Sequence, residues 1–152
     1  MAHLVPITRE NWRAAAGVRV GAGQLGFVAG HEPVALVILA KAFVRVADLD
    51  WWPYLVEEGG DVVGVLALVD ERVQGGQLAL FHLVIDVGRQ GHGLGRAAVR
   101  LVLDLARGLD GCRRVRLTVD PANHVAIRLY VSEGFVEDGV DERGELRFSR
   151  PV

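Results

Sequence analysis

The strongest chemical signal lies between Leu83 and Arg96. There the chain reads Leu83-Val84-Ile85-Asp86-Val87-Gly88-Arg89-Gln90-Gly91-His92-Gly93-Leu94-Gly95-Arg96, an apolar run that enters a glycine-rich turn and opens a helical pattern. Glycine carries no Cβ, so such a turn lets the backbone come close to a bulky anion. The start of a helix adds unpaired N–H groups and the positive end of the dipole. A phosphate or pyrophosphate suits this arrangement, and His92 and Arg96 add cationic side chains beside it. An ordinary tight turn is the competing reading, because glycine fills 19 of 152 positions and G-x-G pairs recur by chance. Gly21-Ala22-Gly23 is read as such a pair, since no strand feeds it. The loop is not a Walker loop, because no Lys-Ser or Lys-Thr follows. It also departs from the dinucleotide fingerprint, where Ala98 would have to replace the third glycine.

Other residue types narrow the chemistry. Cys112 is the only cysteine, which excludes an internal disulfide and a cysteine-based zinc site within one chain. The five histidines show no ligand spacing, so no metal is expected. The net charge of −2 and pI near 6.2 argue against non-specific nucleic-acid binding, which needs a cationic excess. The longest apolar stretch, Val34 to Val46, is interrupted by Lys41 and Arg45 and falls short of the ~20 residues of a membrane span. The first ten residues lack a basic start followed by an apolar run, the pattern of a secretion signal. The expectation is a soluble cytoplasmic protein folded as one domain over residues 1–152.

The elements that must position the loop follow from periodicity. His3–Thr8 reads as a strand, Glu10–Val20 as a helix broken by Gly21, Gly23 and Gly26, and Glu32 to about Phe43 as a second helix with Pro33 in its first turn. Trp51-Trp52-Pro53 is expected to stop helical structure before a hairpin, Tyr54–Glu57 and Val62–Val69, around Glu58-Gly59-Gly60-Asp61. Leu78–Val87 is apolar throughout and reads as a strand buried on both faces. Leu94–Gly108 places Leu94, Ala97, Ala98, Leu101 and Leu105 on one helical face. Arg113–Val119 is a strand, Asn123–Glu133 a helix ended by Gly134, and Phe135–Val140 with Glu145–Phe148 a last hairpin. The order β-α-α-β-β-β-α-β-α-β-β implies an α/β (α+β) mixed sheet flanked by helices and partly parallel.

Two motifs combine. Gln90-x-x-Gly93-x-Gly95 follows a buried strand, and Asn123-x-x-Ala126-x-x-Leu129-Tyr130-x-x-x-Gly134-Phe135 follows the next strand. Together with the element order they resemble the GNAT superfamily of acetyl-CoA-dependent N-acetyltransferases over nearly the whole chain. In the N-terminal half, ITRENW, GFVAGH and WPYLV are similar to bacterial spermine/spermidine (diamine) acetyltransferases. The resemblance implies acetyl-CoA as co-substrate and no metal. It implies that backbone groups of Leu83, Val84 and Ile85 pair with the pantetheine arm, with Val84 or Ile85 donating an N–H to the thioester oxygen. Gly91, His92, Gly93, Leu94, Gly95 and Arg96, after Gln90, would wrap the pyrophosphate. Asn123 would contact the pantetheine end, and Tyr130 would protonate the departing CoA thiolate. The alternative for Tyr130 is an aromatic packed in the core.

The general base is not legible. Family members often carry a glutamate where this chain has Phe81 or Thr118, and neither can serve. His82 is a neighbour, though a lone strand histidine is more often structural. Phe27, His31 and Glu32, with Asp138, Asp141, Glu142 and Glu145, are the residues expected around a small-molecule amine, a polyamine being suited to acidic walls. The same acids read equally well as a solvated turn. Trp51 and Trp52 are expected to pack in the core, and Cys112 to be structural. The apolar content, 51%, would suit a homodimer. The competing function is a non-catalytic acyl-CoA-binding or regulatory module.

Overall fold

The structure is a computed structural model that describes residues Met1–Val152. Seven strands form one mixed sheet: β1 (Ala2–Pro6), β2 (Asp50–Glu58), β3 (Asp61–Glu71), β4 (Gln77–Ile85), β5 (Arg114–Val119), β6 (Val136–Val140) and β7 (Leu146–Pro151). Their spatial order is β1-β2-β3-β4-β5-β7-β6. Only the β4–β5 pair is parallel, and α5 (Leu94–Arg107) makes its crossover. The other helices are α1 (Trp12–Ala16), α2 (Leu25–Val28), α3 (Val34–Val44), α4 (Arg72–Gly75) and α6 (His124–Ser132). The expected order holds, with α2 and α4 as additional single turns. No helix is long and apolar enough to cross a membrane.

Two cores sandwich the sheet. On one face α5 buries Leu94, Ala98, Val99, Val102, Leu103 and Ala106, spaced by threes and fours, against Leu66, Leu68, Leu78, Leu80, Leu117 and Phe148. On the other, Val34, Ala35 and Ile38 of α3 and Ala15 of α1 cover Val65, Ala67 and Val84. α3 lies over β2–β4, and α1 over β3 beside it.

Three local readings need correction. The first helix covers only Trp12–Ala16 rather than Glu10–Val20, because Asn11 stands at its N-cap and Gly17 at its C-cap. Pro33 is the N-cap of α3 rather than a first-turn residue. Trp51, Trp52 and Pro53 lie inside β2, which pairs from Asp50 to Asp70 of β3 onwards. Proline is tolerated there because its nitrogen faces the same side as its carbonyl, which accepts from the Ile7 N–H at 2.9 Å. The missing donor therefore costs no bond to β3. Both tryptophans pack against the cores, as expected, and Trp51 also donates its indole N–H to the Val46 carbonyl.

The feature that matters most for function is a fork. Pairing of β4 with β5 runs from Gln77↔Arg114 to Leu80↔Leu117 and stops, although β4 continues to Ile85 and β5 to Val119. At the same level the β3–β4 ladder shifts register between Val65 and Ala67, and His82 takes φ 56°. A bulge of this kind bends its strand, here away from β5. Gly64 permits the bent end to lie close to β3, since a Cβ there would fall 2.5 Å from the Val84 carbonyl oxygen.

Candidate active site

A cleft of about 570 Å³ opens at the fork. All of the expected cofactor and catalytic residues line it except His92: Leu83, Val84, Ile85, Gln90, Gly91, Gly93, Leu94, Gly95, Arg96, Asn123 and Tyr130. Val20, Gln24, Phe27 and Val28 close it from the opposite face, so the cleft passes through the sheet. His92 is exposed, and its Nδ1 lies 3.2 Å from the Arg89 carbonyl. The expectation that it adds charge within the site is therefore corrected.

The backbone N–H groups from Gln90 to Arg96 donate to no other group of the protein. Internal bonding resumes at Ala97, whose N–H donates to the Gly93 carbonyl at 3.0 Å. The preceding turn is closed by Asp86, whose carboxylate accepts from the Gly88 and Arg19 N–H groups. The result is a row of free donors at the start of α5, whose dipole adds positive potential. Gly91 and Gly93 are needed for conformation, with φ of 80° and 78° and open space around the missing Cβ. Gly95 differs: it has no positive φ, and a Cβ there would only touch the Leu129 side chain at 3.4 Å and the Ile85 side chain at 3.9 Å.

Gln90 does something the sequence does not announce. Its amide nitrogen donates to the Ile85 carbonyl (3.0 Å) and to Gln24 Oε1 (2.9 Å), while Gln24 Nε2 donates back at 3.2 Å. The loop is thereby tied to the end of β4 and to the segment before α2. Gln24 and His124, which also lines the cleft, carry no motif that would mark them in advance.

The Arg96 side chain, expected as a free cation beside the loop, is held by a carboxylate instead. Its guanidinium donates to Glu133 Oε1 at 2.6 Å, and Arg100 donates to the same carboxylate at 2.9 and 3.2 Å. Glu133 is only 6% exposed. It closes α6 and staples the first turn of α5 to the helix that carries Tyr130. The Arg100 and Arg96 hydrogen bonds hold its carboxyl below the usual range against the opposing effect of burial. Because the folded pKa is depressed, this stabilisation is present above the unfolded value, near 4.3, and is lost as pH falls through the lower folded value. Glu133→Gln is expected to lower the melting temperature at pH 7 by several degrees and to narrow that difference below pH 4, measured by thermal unfolding across pH.

Tyr130 is both packed and placed. Its ring meets Phe135 edge-on at 5.8 Å, and the Phe135 N–H donates to the Tyr130 carbonyl at 3.0 Å. The hydroxyl has no protein partner and is not sealed from the cleft it lines. Burial pushes the phenol up to about 12, so it stays protonated through the neutral range. Asn123 caps α6, its Oδ1 accepting from the Ala126 N–H at 3.3 Å, which leaves its amide nitrogen free in the cleft.

His82 is closed off as a base. Its Nδ1 lies 2.6 Å from the Val28 carbonyl, which can only accept, so that nitrogen carries the proton. Its Nε2 accepts from Lys41 Nζ at 2.7 Å. Burial lowers the imidazole pKa, the Val28 hydrogen bond opposes this, and Lys41 and Arg143 lower it further. Lys41 is also lowered, by burial first and then by Arg143. No Asp or Glu lines the cleft.

The acids expected to form acceptor walls are used locally. Glu32 accepts from the Val20 N–H at 2.9 Å. Asp141 accepts from the Arg143 and Glu145 N–H groups and closes the β6–β7 turn. Asp138 accepts from the Ser149 hydroxyl at 2.8 Å. His31 and Glu142 are exposed. Of the proposed acceptor residues only Phe27 reaches the cleft. Cys112 packs at the edge of the larger core.

The sequence pattern of the acetyltransferase (GNAT) family matches residues 25–135, which include the fork, the loop and Tyr130. The chain is 35% identical over 116 residues to N-acetyltransferase family 8 member 2 of Rattus norvegicus, covering 74% of this chain and 50% of that protein. It is 33% identical over 104 residues to N-acetyltransferase 8 of Mus musculus, 66% of this chain and 44% of that one. The chain thus spans about half the length of these curated relatives. Its fold is that of spermidine N-acetyltransferase from Vibrio cholerae, solved with CoA and spermine, at TM-score 0.77 and 18% identity over 99% of this chain and 95% of that one. An acetyltransferase from Thermus thermophilus aligns at TM-score 0.78 and 22% identity over 100% and 97%. With the family pattern covering most of its length, the chain belongs to the acetyltransferase (GNAT) family.

Proposed function

We propose that this chain moves the acetyl group of acetyl-CoA to a primary amine, both substrates meeting at the β4–β5 fork. The observation that carries this reading is the row of unpaired N–H groups from Gln90 to Arg96, opening into the same cleft as Tyr130. The row suits a pyrophosphate. The β4 edge from Leu83 to Ile85, released from β5, suits an amide-bearing arm, though Gln90 already occupies the Ile85 carbonyl. The Val84 or Ile85 N–H would stabilise negative charge on the thioester oxygen.

The amine nitrogen forms a bond to the carbonyl carbon, the C–S bond breaks, and its electron pair goes to sulfur. Tyr130 donates a hydrogen bond to that sulfur. At about 12 the phenol is a weaker acid than an ordinary thiol, near 8.5, so hydrogen-bond donation is its contribution before any full transfer. With no carboxylate in the cleft, the surplus proton of the amine leaves to water. The expected consequence is that kcat/KM rises with pH up to the pKa of the acceptor itself, with no enzyme carboxylate inflection, as a rate profile with two amines of different pKa would read.

Steady release of CoA thiol over a panel of polyamines, peptides and aminoglycosides tests the reading. The absence of a cleft carboxylate favours one alternative, a non-catalytic acyl-CoA-binding module. That alternative expects acetyl-CoA binding without thiol release from any amine. A polyamine acceptor draws support from the likeness to the spermidine enzyme, but the acids that would line its pocket are engaged in local turns.

A further inference from the structure

The fork depends on a change of phase within β4. Leu78 and Leu80 face the larger core, so strict alternation would send His82 and Val84 there and turn Leu83 and Ile85 to the smaller one. The strand does the reverse. Phe81 and His82 both lie on the α3 face, Leu83 and Ile85 pack against the larger core, and Val84 is buried in the smaller. Register accounts for the change: Val65 pairs with Val84 and Ala67 with Phe81, so His82 and Leu83 together oppose Leu66.

The hydrophobic pattern leaves this phase open. From Leu78 to Ile85 every residue except His82 is apolar, and Leu83, Val84 and Ile85 suit either core. His82 does not. On the α5 face its ring nitrogens would enter an apolar core without partners, at a cost. On the α3 face both are bonded: Nδ1–H donates to the Val28 carbonyl at 2.6 Å, and Nε2 accepts from Lys41 Nζ at 2.7 Å. The half-buried ring also lies beside Trp51 and Phe81, with centroids 6.2 and 6.1 Å away. These contacts hold a residue that carries a Cβ at φ 56°, in the disfavoured left-handed region.

The phase decides what β4 presents to the cleft. Leu83, Val84 and Ile85 follow His82 directly and line it. Val28, whose carbonyl takes the imidazole proton, stands in the opposite wall of the same cleft. One imidazole therefore ties the released β4 edge to the amine-side wall, and through Lys41 to α3.

We propose that His82 is a positioning residue for acetyl transfer: its imidazole, held between Val28 and Lys41, fixes the phase of β4 and so aims the Val84 or Ile85 N–H at the thioester oxygen. This rests on the acetyl-transfer reading above. Leu and Gln both carry a Cβ into the left-handed region, but only Gln offers a donor and an acceptor, so the pair separates hydrogen bonding from backbone strain. In steady-state CoA release, His82→Leu is expected to lower kcat about tenfold or more, as misplaced donors do. Its KM for acetyl-CoA should stay near wild type, because Asp86 holds the following turn independently through the Arg19 and Gly88 N–H groups. His82→Gln should recover most of the loss. Lys41→Met leaves β4 untouched and should also lower kcat selectively. Methyl NOEs read the phase without any reaction: Val84 meets the smaller core in the wild type and should gain contacts to the larger core in His82→Leu. A wild-type kcat in His82→Leu, a Gln variant no better than Leu, or an unchanged kcat in Lys41→Met would overturn the inference. If His82→Leu does not fold, Lys41→Met decides by the same readings. If no amine is acetylated, the parent reading fails and the NOEs decide the phase: Val84 contacts that move in His82→Leu sustain its selection by the imidazole, and contacts that stay remove it.

Discussion

Replacing Tyr130 by Phe is expected to reduce kcat about 100-fold, the lower range for losing a positioned proton donor, while acetyl-CoA affinity and melting temperature stay near wild type. The substitution removes one oxygen and keeps the ring. The edge contact with Phe135 at 5.8 Å therefore survives, as does the backbone bond that closes the Gly134-Phe135 turn. The hydroxyl has no protein partner, so its removal leaves no buried group unsatisfied. What is lost is the one donor on α6 that faces the cleft from a buried aromatic. Burial keeps that donor protonated, with its pKa near 12, so the wild-type rate should show no falling limb from Tyr130 below about pH 11. Stopped-flow and steady-state thiol release, with calorimetry for acetyl-CoA, read all three quantities. An unchanged kcat with chemistry rate-limiting would assign Tyr130 to packing alone.

The second large effect belongs to Gly93. Its φ of 78° puts it in the left-handed region, where an L side chain costs roughly 1–2 kcal/mol, and more for a β-branched one. No neighbouring atom would clash with a Cβ, so the penalty is conformational rather than steric crowding. Gly93→Val relieves its strain by rotating the peptide planes on either side, and those planes carry the free N–H groups. Acetyl-CoA affinity is expected to fall at least tenfold, which corresponds to about 1.4 kcal/mol, with a small loss of thermal stability. Gly95→Ala should behave differently. It stands in α5, where alanine is favoured, and its added methyl meets only side-chain atoms, of Leu129 at 3.4 Å and Ile85 at 3.9 Å. Calorimetric titration of both variants separates the two roles.

Much of the framework was legible because it follows from short-range pattern. The period of Leu94, Ala98 and Leu105 announces α5, the alternation from Arg114 to Val119 announces β5, and Asn123 and Gly134 bracket α6. The fork was not legible, because it arises from a register shift between β3 and β4 and from His82 at positive φ, and no pattern in either strand specifies a long-range register. The fate of charged side chains was equally hidden. Arg96 sits inside the loop motif, but Glu133, far along the chain, captures it. Asp141 looks like a wall for a cationic ligand, but the turn it begins consumes its carboxylate. Pro53 places the start of the strand at Tyr54 in the sequence, yet β2 begins at Asp50, because the ladder to β3 loses nothing at Pro53.

The grip of the Gln90–Arg96 backbone on a diphosphate can be watched directly by amide chemical shifts in a ¹⁵N-labelled sample. Adding CoA should move the Gly91, Gly93, Leu94, Gly95 and Arg96 signals most, and adding pantetheine, which has no diphosphate, should leave them in place while moving Leu83 to Ile85. Loop signals that ignore CoA, or that respond to pantetheine as strongly, would contradict the account.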